Sequence, residues 1–503
     1  MSNLYDRLSV GFPAPPTPFA KLADGSTVTY GDVEAASARY ANTLRDLGVA
    51  IGDRVAVQAE KSIEMLMLYL GCLRAGAIFL PLNPAYTAAE LDYFLGDAEP
   101  SLLVCDPANA AAIRNLPHAA GVARIETLDA AGAGTLADLA HKASPQFDTV
   151  TRSDDDLAAI LYTSGTTGRS KGAMLSHDNL GANAFTLRDA WRFSNEDVLL
   201  HALPIFHTHG LFVATNVVLS SGASMIFQPR FDADAVAEAL PQATVMMGVP
   251  TFYIRLLQHP RFTRELTSHM RLFISGSAPL PADIHREFQE RTGHAILERY
   301  GMTETNMNTS NPYDGSRVAG TVGLPLAGVE IRIADPQTGR VLPQGEVGMI
   351  EISGPNVFKG YWRMPEKTEA EFRGGYFMSG DLGRIDERGY VSIVGREKDL
   401  IIAGGYNIYP AEVENVIADL PQVHEVAVIG LPHPDLGEGV VAVVVPREAG
   451  SEDADAISAA ISNQLARFKR PRRIVFMSEL PKNTMGKVQK AVLRERYAGL
   501  FKS

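Results

Sequence analysis

Eleven residues, Tyr162-Thr-Ser-Gly-Thr-Thr-Gly-Arg-Ser-Lys-Gly172, constrain this chain more than any other stretch. Gly165, Gly168 and Gly172 let the backbone reach φ > 0 and bring its N–H groups close to a ligand. Successive N–H groups in such a loop form a concave nest for an anion, and the hydroxyls of Thr163, Ser164, Thr166 and Thr167 add further donors. Lys171 supplies a mobile positive charge suited to phosphate. Upstream, Leu157-Ala-Ala-Ile-Leu-Tyr reads as a buried strand, and Met174 onward reads as a helix. Strand, glycine loop and helix together are where α/β proteins hold phosphates. A surface linker of similar composition would not follow a buried strand or carry a lysine between glycines. The loop is not a Walker A motif, which needs Gly just before its Lys and Ser or Thr just after; Ser170 and Gly172 stand there instead.

The rest of the chain must bury that unit. With 503 residues it is too long for one ordinary core, so a large domain and at least one more are expected. Residues 1–150 alternate helical and strand-like segments: a helix over Tyr30–Leu47, a strand from Gly52, a helix over Lys61–Ala75, then strands at Ala77 and Leu102. Alternating βα units imply an α/β fold with a helix-covered, mixed or largely parallel sheet. Gly132-Ala-Gly134 follows no clear strand and is read as a loop. After about residue 400 the pattern changes to short strands with two or three helices, a small α+β unit of about 100 residues. The predicted boundaries are 1–398 for a large N-terminal domain and 399–503 for a small, mobile C-terminal one.

Several further stretches carry chemistry. In Leu199-Leu-His-Ala-Leu-Pro-Ile-Phe-His-Thr-His-Gly, His207 and His209 have no Cys or carboxylate at useful spacing, so lining a core or a substrate pocket is a better reading than zinc. Val-Pro-Thr-Phe-Tyr-Ile-Arg255 passes from a strand into a helix with Pro250 in its first turn. Arg255 is either a cation with its stem on the core surface or a cation in a substrate pocket. Leu272-Phe-Ile-Ser-Gly-Ser277-Ala278 is a second strand ending in a Gly/Ser turn. In Leu297-Glu-Arg-Tyr-Gly-Met-Thr-Glu, Tyr300 offers a flat face for a base, Thr303 a hydroxyl, and Glu304 an oxygen ligand for a hard cation. Asp381 in Ser-Gly-Asp-Leu-Gly can accept from two vicinal hydroxyls, and Arg396 suits ribose or phosphate.

Taken together these motifs resemble the adenylate-forming superfamily of acyl-CoA synthetases, peptide-synthetase adenylation domains and luciferases, and the matches span residues 30 to 490. His-Thr-His-Gly-Leu-Phe, Val-Pro-Thr-Phe-Tyr-x-Arg and Thr-Glu-Thr-Asn-Met-Asn-Thr-Ser-Asn-Pro-Tyr are similar to the malonyl-CoA synthetases within it. The resemblance implies ATP with Mg²⁺ and CoA as cosubstrate: a carboxylate attacks the α-phosphate, then the CoA thiol displaces AMP. It implies Lys487, Glu304 and Lys171 as catalytic residues, with Glu304 and Thr163 at the metal. For ATP or AMP it implies Thr163, Ser164, Gly165, Thr166, Thr167, Gly168, Lys171, Ser277, Ala278, Glu298, Arg299, Tyr300, Gly301, Thr303, Asp381 and Arg396. His207, Thr208, Arg255, Ser277 and Met307 would line the acid pocket, with Arg255 taking the second carboxylate of malonate. Gly404, Gly405 and Tyr406 would meet CoA, and Asp399 would be the hinge about which the small domain turns. Another small carboxylic acid, or a carrier protein in place of CoA, is the alternative the same motifs leave open.

Bulk properties fit such a ligase and exclude other classes. Hydrophobic residues make up 46% and charged residues 21%, which is globular composition. A net charge of −12 argues against a nucleic-acid or anionic-membrane surface. Cys72 and Cys105 sit in apolar surroundings, and no disulfide framework is expected. No apolar run approaches the length of a membrane span, and the N-terminal residues carry no apolar signal core, so a cytoplasmic location is expected. A protein acetyltransferase acting on Lys487 is a further partner the chemistry allows, because acetylation would remove its charge.

Overall fold

The computed structural model describes residues 2–163, 170–403, 406–448, 450–462, 464–483 and 486–501. Two sheets and the helices between them form the body of the molecule. One sheet has six strands in the order Arg124–Thr127, Leu102–Cys105, Arg54–Gln58, Ile78–Pro81, Leu157–Thr163 and Lys171–Ser176. Its first five strands are parallel and the last is antiparallel. A second sheet has nine strands, with a parallel centre built from Leu297–Met302, Leu272–Ser275, Val245–Gly248, Val198–His201, Ser224–Phe227 and Pro18–Leu22. Antiparallel strands close both edges.

The helix Ile63–Ala75 shows how the main buried cluster of this body is built. Ile-Glu-Met-Leu-Met-Leu-Tyr-Leu-Gly-Cys-Leu-Arg-Ala has almost no polar face, and all eleven residues from Met65 to Ala75 are buried. A helix apolar all round must be covered on every side. Ser62 caps its N-terminus by accepting from the Met65 N–H, and Gly76 ends it at φ 75°. Gly71 lets it cross the helix Tyr30–Asp46 closely, since a Cβ there would lie 2.6 Å from the Tyr40 Cβ. Both cysteines are buried and free.

One local expectation fails. The segment after the glycine loop is not a helix from Met174 but the strand Lys171–Ser176, running antiparallel to Leu157–Thr163. The helix begins only at His177, where Ser176 and Asn179 form a reciprocal cap. Tertiary pairing decides the matter. Met174 N–H donates to the Gly360 carbonyl at 2.9 Å, and Trp362 N–H donates to that of Gly172 at 2.7 Å, so the strand is paired on both edges. Residues 164–169, on which the expected anion nest falls, lie outside the described residues; the strands on either side of them are antiparallel.

A third, antiparallel sheet contains Glu330–Ala334, Gly348–Ser353, Phe372–Arg373, Tyr376–Ile385 and Val391–Arg396. From Ile401 the chain enters a fourth sheet, in which Ile401–Ala403, Tyr406–Ile408, Val423–His433 and Gly437–Pro446 are antiparallel and Arg473–Phe476 adds in parallel. Its own buried clusters, one around Val413, Val428 and Val444 and another around Val443 and Leu480, are separate from the main core. Among the described residues no helix is long and apolar enough to cross a membrane.

Candidate active site

Several of the predicted residues fall into three corners near the ends of the strands. Register places Asp381 opposite Arg396 on neighbouring strands. Arg396 Nε lies 2.6 Å from Asp381 Oδ1, and the Tyr300 hydroxyl donates to Asp381 Oδ2 at 2.6 Å. Burial, with the Asp381 charge added, pushes the Tyr300 phenol well above its ordinary value. The three side chains thus form one preformed, fully paired corner.

A second corner holds the phosphate-loop lysine. Lys171 opens its strand opposite Thr163, so the ladder fixes its Cα. Its ammonium pairs with Glu371 at 3.0 Å and lies 4.0 Å from the centroid of the Tyr361 ring. The Tyr361 hydroxyl sits between two carboxylates, 2.6 Å from Glu371 Oε2 and 3.0 Å from Glu304 Oε1. Burial raises the Glu304 carboxyl above its ordinary value despite the Tyr361 bond. A buried carboxylate whose charge burial disfavours fits a divalent cation shared with a phosphate, since Mg²⁺ is commonly held by one or two carboxylates plus substrate oxygens. Among the described residues no cluster of three or more His, Cys, Asp or Glu side chains forms an all-protein metal cage. Nothing local in Lys367-Thr-Glu-Ala-Glu371 distinguishes Glu371 from a solvated helix end, so sequence reasoning missed it. Tyr361 escaped for the same reason.

The third corner is buried and holds several polar atoms without partners among the described residues. Ser277 adopts φ 72°, a conformation rare for a side-chain-bearing residue. Its hydroxyl is 3.2 Å from His209 Nδ1. His207, Thr208 and His209 follow the strand Val198–His201 into a π-helical turn, His209–Thr215. Burial lowers the His207 imidazole to about 4, and burial with the Arg299 charge lowers His209 far below the usual range, so both are neutral at pH 7. Arg299 is 2% exposed, and a Cβ at Gly276 would lie 2.5 Å from its guanidinium carbon. Burial lowers Arg299 to about 9. Among the described residues His207 Nε2, Thr208 Oγ1, His209 Nε2, and Arg299 Nε and Nη2 are buried without hydrogen-bond partners. Met307 pairs with Gly301 on the neighbouring strand, its terminal methyl 2.5 Å from a Cβ built on Gly301.

Not every predicted residue joins these corners. The Arg299 guanidinium, expected beside the nucleotide, packs against Gly276 and feels the charges of His209 and Tyr253. Arg255 stands exposed on the helix Pro250–Gln258, without a partner among the described residues and one turn beyond Thr251. Thr251 touches the small unit, its methyl lying 3.0 Å from a Cβ built on Gly486. Glu298 is buried beside Arg299 and accepts from the Leu280 N–H, and burial raises its carboxyl to about 8. Ala278 and Thr303 are half-buried near these turns. Lys487 keeps contact with solvent, yet burial, then the Arg396 guanidinium, lowers its amine below the ordinary value. Asp399 lies in a short turn between the third and fourth sheets and pairs with Arg494 at 2.5 Å. Tyr406 is exposed and stacks on Phe468 with centroids 4.5 Å apart. Ser164, Gly165, Thr166, Thr167, Gly168, Gly404 and Gly405 lie outside the described residues.

Residues 13–362 match the model of the AMP-binding enzyme family, and residues 412–487 match the AMP-binding enzyme C-terminal domain. The chain belongs to the AMP-binding enzyme family. Curated relatives include a feruloyl-CoA synthase from Amycolatopsis sp, 39% identical with 94% of each chain covered. They also include the malonate–CoA ligase of Arabidopsis thaliana, 33% identical over 98% of this chain and 87% of that one. Among solved structures, ATP-bound MatB from Rhodopseudomonas palustris is 58% identical, covers both chains completely and superposes with a TM-score of 0.98. The apo form of MatB gives 0.87 over the same coverage. The arrangement here, with the Lys487 loop against the main body, is thus closer to that of the ATP-bound AMP-binding enzyme.

Proposed function

We propose that this chain ligates malonate to CoA using ATP, through malonyl-AMP, with release of pyrophosphate and then AMP, and takes methylmalonate more slowly. The observation that carries the diacid is the buried, unpaired Arg299 among the neutral His207, His209 and Thr208. An aryl or fatty acid leaves that guanidinium without a counterion at a large desolvation penalty, whereas a second carboxylate supplies one. Arg255, near the docked Lys487 loop, is a second cation for the same dianion, and Ser277 adds a hydroxyl. Met307 and Thr208 keep the pocket small. The malonate–CoA ligase relative supports the same substrate.

In this reading the first half-reaction needs positioning and charge neutralisation more than covalent help. Tyr300 presents its ring to adenine, Asp381 and Arg396 hold the ribose, and Lys171 holds the β- and γ-phosphates. Glu304 would hold Mg²⁺, which supplies charge neutralisation on the phosphates. Lys487 bridges the acid carboxylate and the α-phosphate, then leaves as the small unit turns about Asp399 and brings residues 404–406 toward the thiol. The stacked Tyr406 and Phe468, with Arg472 beside a cleft of about 200 Å³, suit an aromatic base carrying phosphates, as in CoA.

The test is CoA-dependent AMP release with Mg²⁺ and ATP across malonate, methylmalonate, succinate, acetate, hexanoate and ferulate. Malonate leads on this proposal. A lead by hexanoate or ferulate keeps the ligase and removes the diacid pocket.

A further inference from the structure

Glu371 holds Lys171 in a way that matters for turnover, on the reading that Lys171 binds the triphosphate. The pair is mostly sheltered, with side-chain exposures of 15% for Lys171 and 20% for Glu371. Lys171 cannot move its Cα, because the ladder pins it opposite Thr163; only its side chain can swing. Glu371 would not be abandoned by that swing. Lys367 lies 2.8 Å from Oε1, and the Tyr361 hydroxyl lies 2.6 Å from Oε2. Burial alone would raise the Glu371 carboxyl, but the bonds from Lys367, Tyr361 and Lys171 outweigh it and hold it below the usual range. It is therefore an anion beside a lysine expected to grip a polyanion. The same Tyr361 hydroxyl reaches Glu304 at 3.0 Å, so Glu371 and the expected cation ligand share one proton donor.

We infer that Glu371 is an exchangeable counterion for Lys171, a positioning residue that competes with the polyphosphate for the lysine and so loosens the hold on ATP and on the departing pyrophosphate. Because Lys367 and Tyr361 stay with Glu371, the exchange leaves no buried carboxylate naked, and the penalty of an unpaired charge is avoided. An interaction that opposes ground-state binding raises KM without lowering kcat.

The test compares the full-length enzyme with E371Q, K171A and the double variant, each checked for folding by thermal melting. E371Q keeps a hydrogen-bond acceptor for Tyr361 while removing the charge. Dissociation constants for MgATP and magnesium pyrophosphate are measured directly, with KM and kcat alongside. E371Q is expected to bind both ligands about fivefold more tightly or better, within the usual range of coupling between neighbouring charges, and to show stronger product inhibition by pyrophosphate. That tightening should vanish in the K171A background, since the competition runs through the lysine. Equal or weaker binding by E371Q overturns the inference. Tightening that persists without Lys171 overturns it too, leaving simple repulsion between Glu371 and the ligand. If K171A itself binds MgATP and pyrophosphate normally, the reading of Lys171 as a phosphate ligand has failed instead. Should E371Q not fold, E371D, which retracts the charge by one methylene, is expected to tighten binding in the same direction by a smaller factor, and weaker or unchanged binding by it overturns the inference.

Discussion

The two ends of the site treat charge in opposite ways. At the nucleotide end the charges are already paired: Asp381 with Arg396 and Tyr300, Lys171 with Glu371. At the acid end a guanidinium, two imidazoles and a hydroxyl are buried with polar atoms unpartnered among the described residues. Paired groups hold a shape before ligand arrives and add their bonds to it. Unpaired groups store unfavourable free energy that only the right ligand relieves. On the proposed reading, specificity resides at the acid end, where the unpaired groups would select a small anion.

The steepest loss should come from neither end but from the residue spanning them. Lys487→Ala should lower the adenylation rate by about 10²–10³-fold, the usual loss for one preorganised charge. Thioester formation from supplied malonyl-AMP should fall much less; rapid-quench measurement of both half-reactions checks this. Equal losses would mean that Lys487 serves both conformations.

The contrast itself predicts opposite signs for stability. Arg299→Met should cut kcat/KM for malonate by about 30-fold or more, since a buried charge pair with substrate is worth about 2–5 kcal/mol. It should leave the ligand-free protein equally or more stable, because replacing an unpaired buried cation with an apolar group relieves desolvation. Asp381→Ala should instead destabilise the ligand-free protein by about 2–3 kcal/mol, leaving Arg396 and Tyr300 without their acceptor. Thermal melts of both variants decide the comparison: if both lose stability alike, the acid corner is not strained. Malonate should protect the parent protein from melting but not Arg299→Met.

Changes of pH should act more gently. His207 has its folded pKa at about 4, below the ordinary 6.5. The unfolded chain therefore binds more protons between those values, and stability rises with pH through that window and is lost as pH falls toward 4. The contribution of His207 is at most about 3 kcal/mol. His207→Gln should flatten the dependence of melting temperature on pH between 6.5 and 4.

Much of the fold was legible because its signals are local. The helices Tyr30–Asp46 and Ile63–Ala75, the strands at Arg54, Ile78, Leu102, Val245 and Leu272, and the change of pattern near residue 400 all follow from periodicity and turn residues. The motif residues Lys171, Tyr300, Glu304, Asp381 and Arg396 read as chemistry for a nucleotide, and the fold brings Tyr300, Asp381 and Arg396 into contact. The strand Lys171–Ser176 was not, because its hydrogen-bond partners at Gly360 and Trp362 lie far along the chain. Nor did anything local say that Arg299 would be buried without a partner. Alternation puts Arg299 and Tyr300 on opposite faces, but only the packing of Gly276 against the guanidinium says what each face meets.

The kind of chemistry was written in short motifs whose residue types have few other uses: a glycine- and hydroxyl-rich loop with a lysine, a lone glutamate after a Tyr-Gly-Met-Thr turn, an Asp and an Arg for a ribose. Which charges are satisfied and which are left waiting emerged only when the chain was folded. Pairing depends on distances between segments far apart in the chain, as for Lys171 and Glu371, and burial depends on the whole core around a side chain, as for Arg299. No local pattern encodes either quantity.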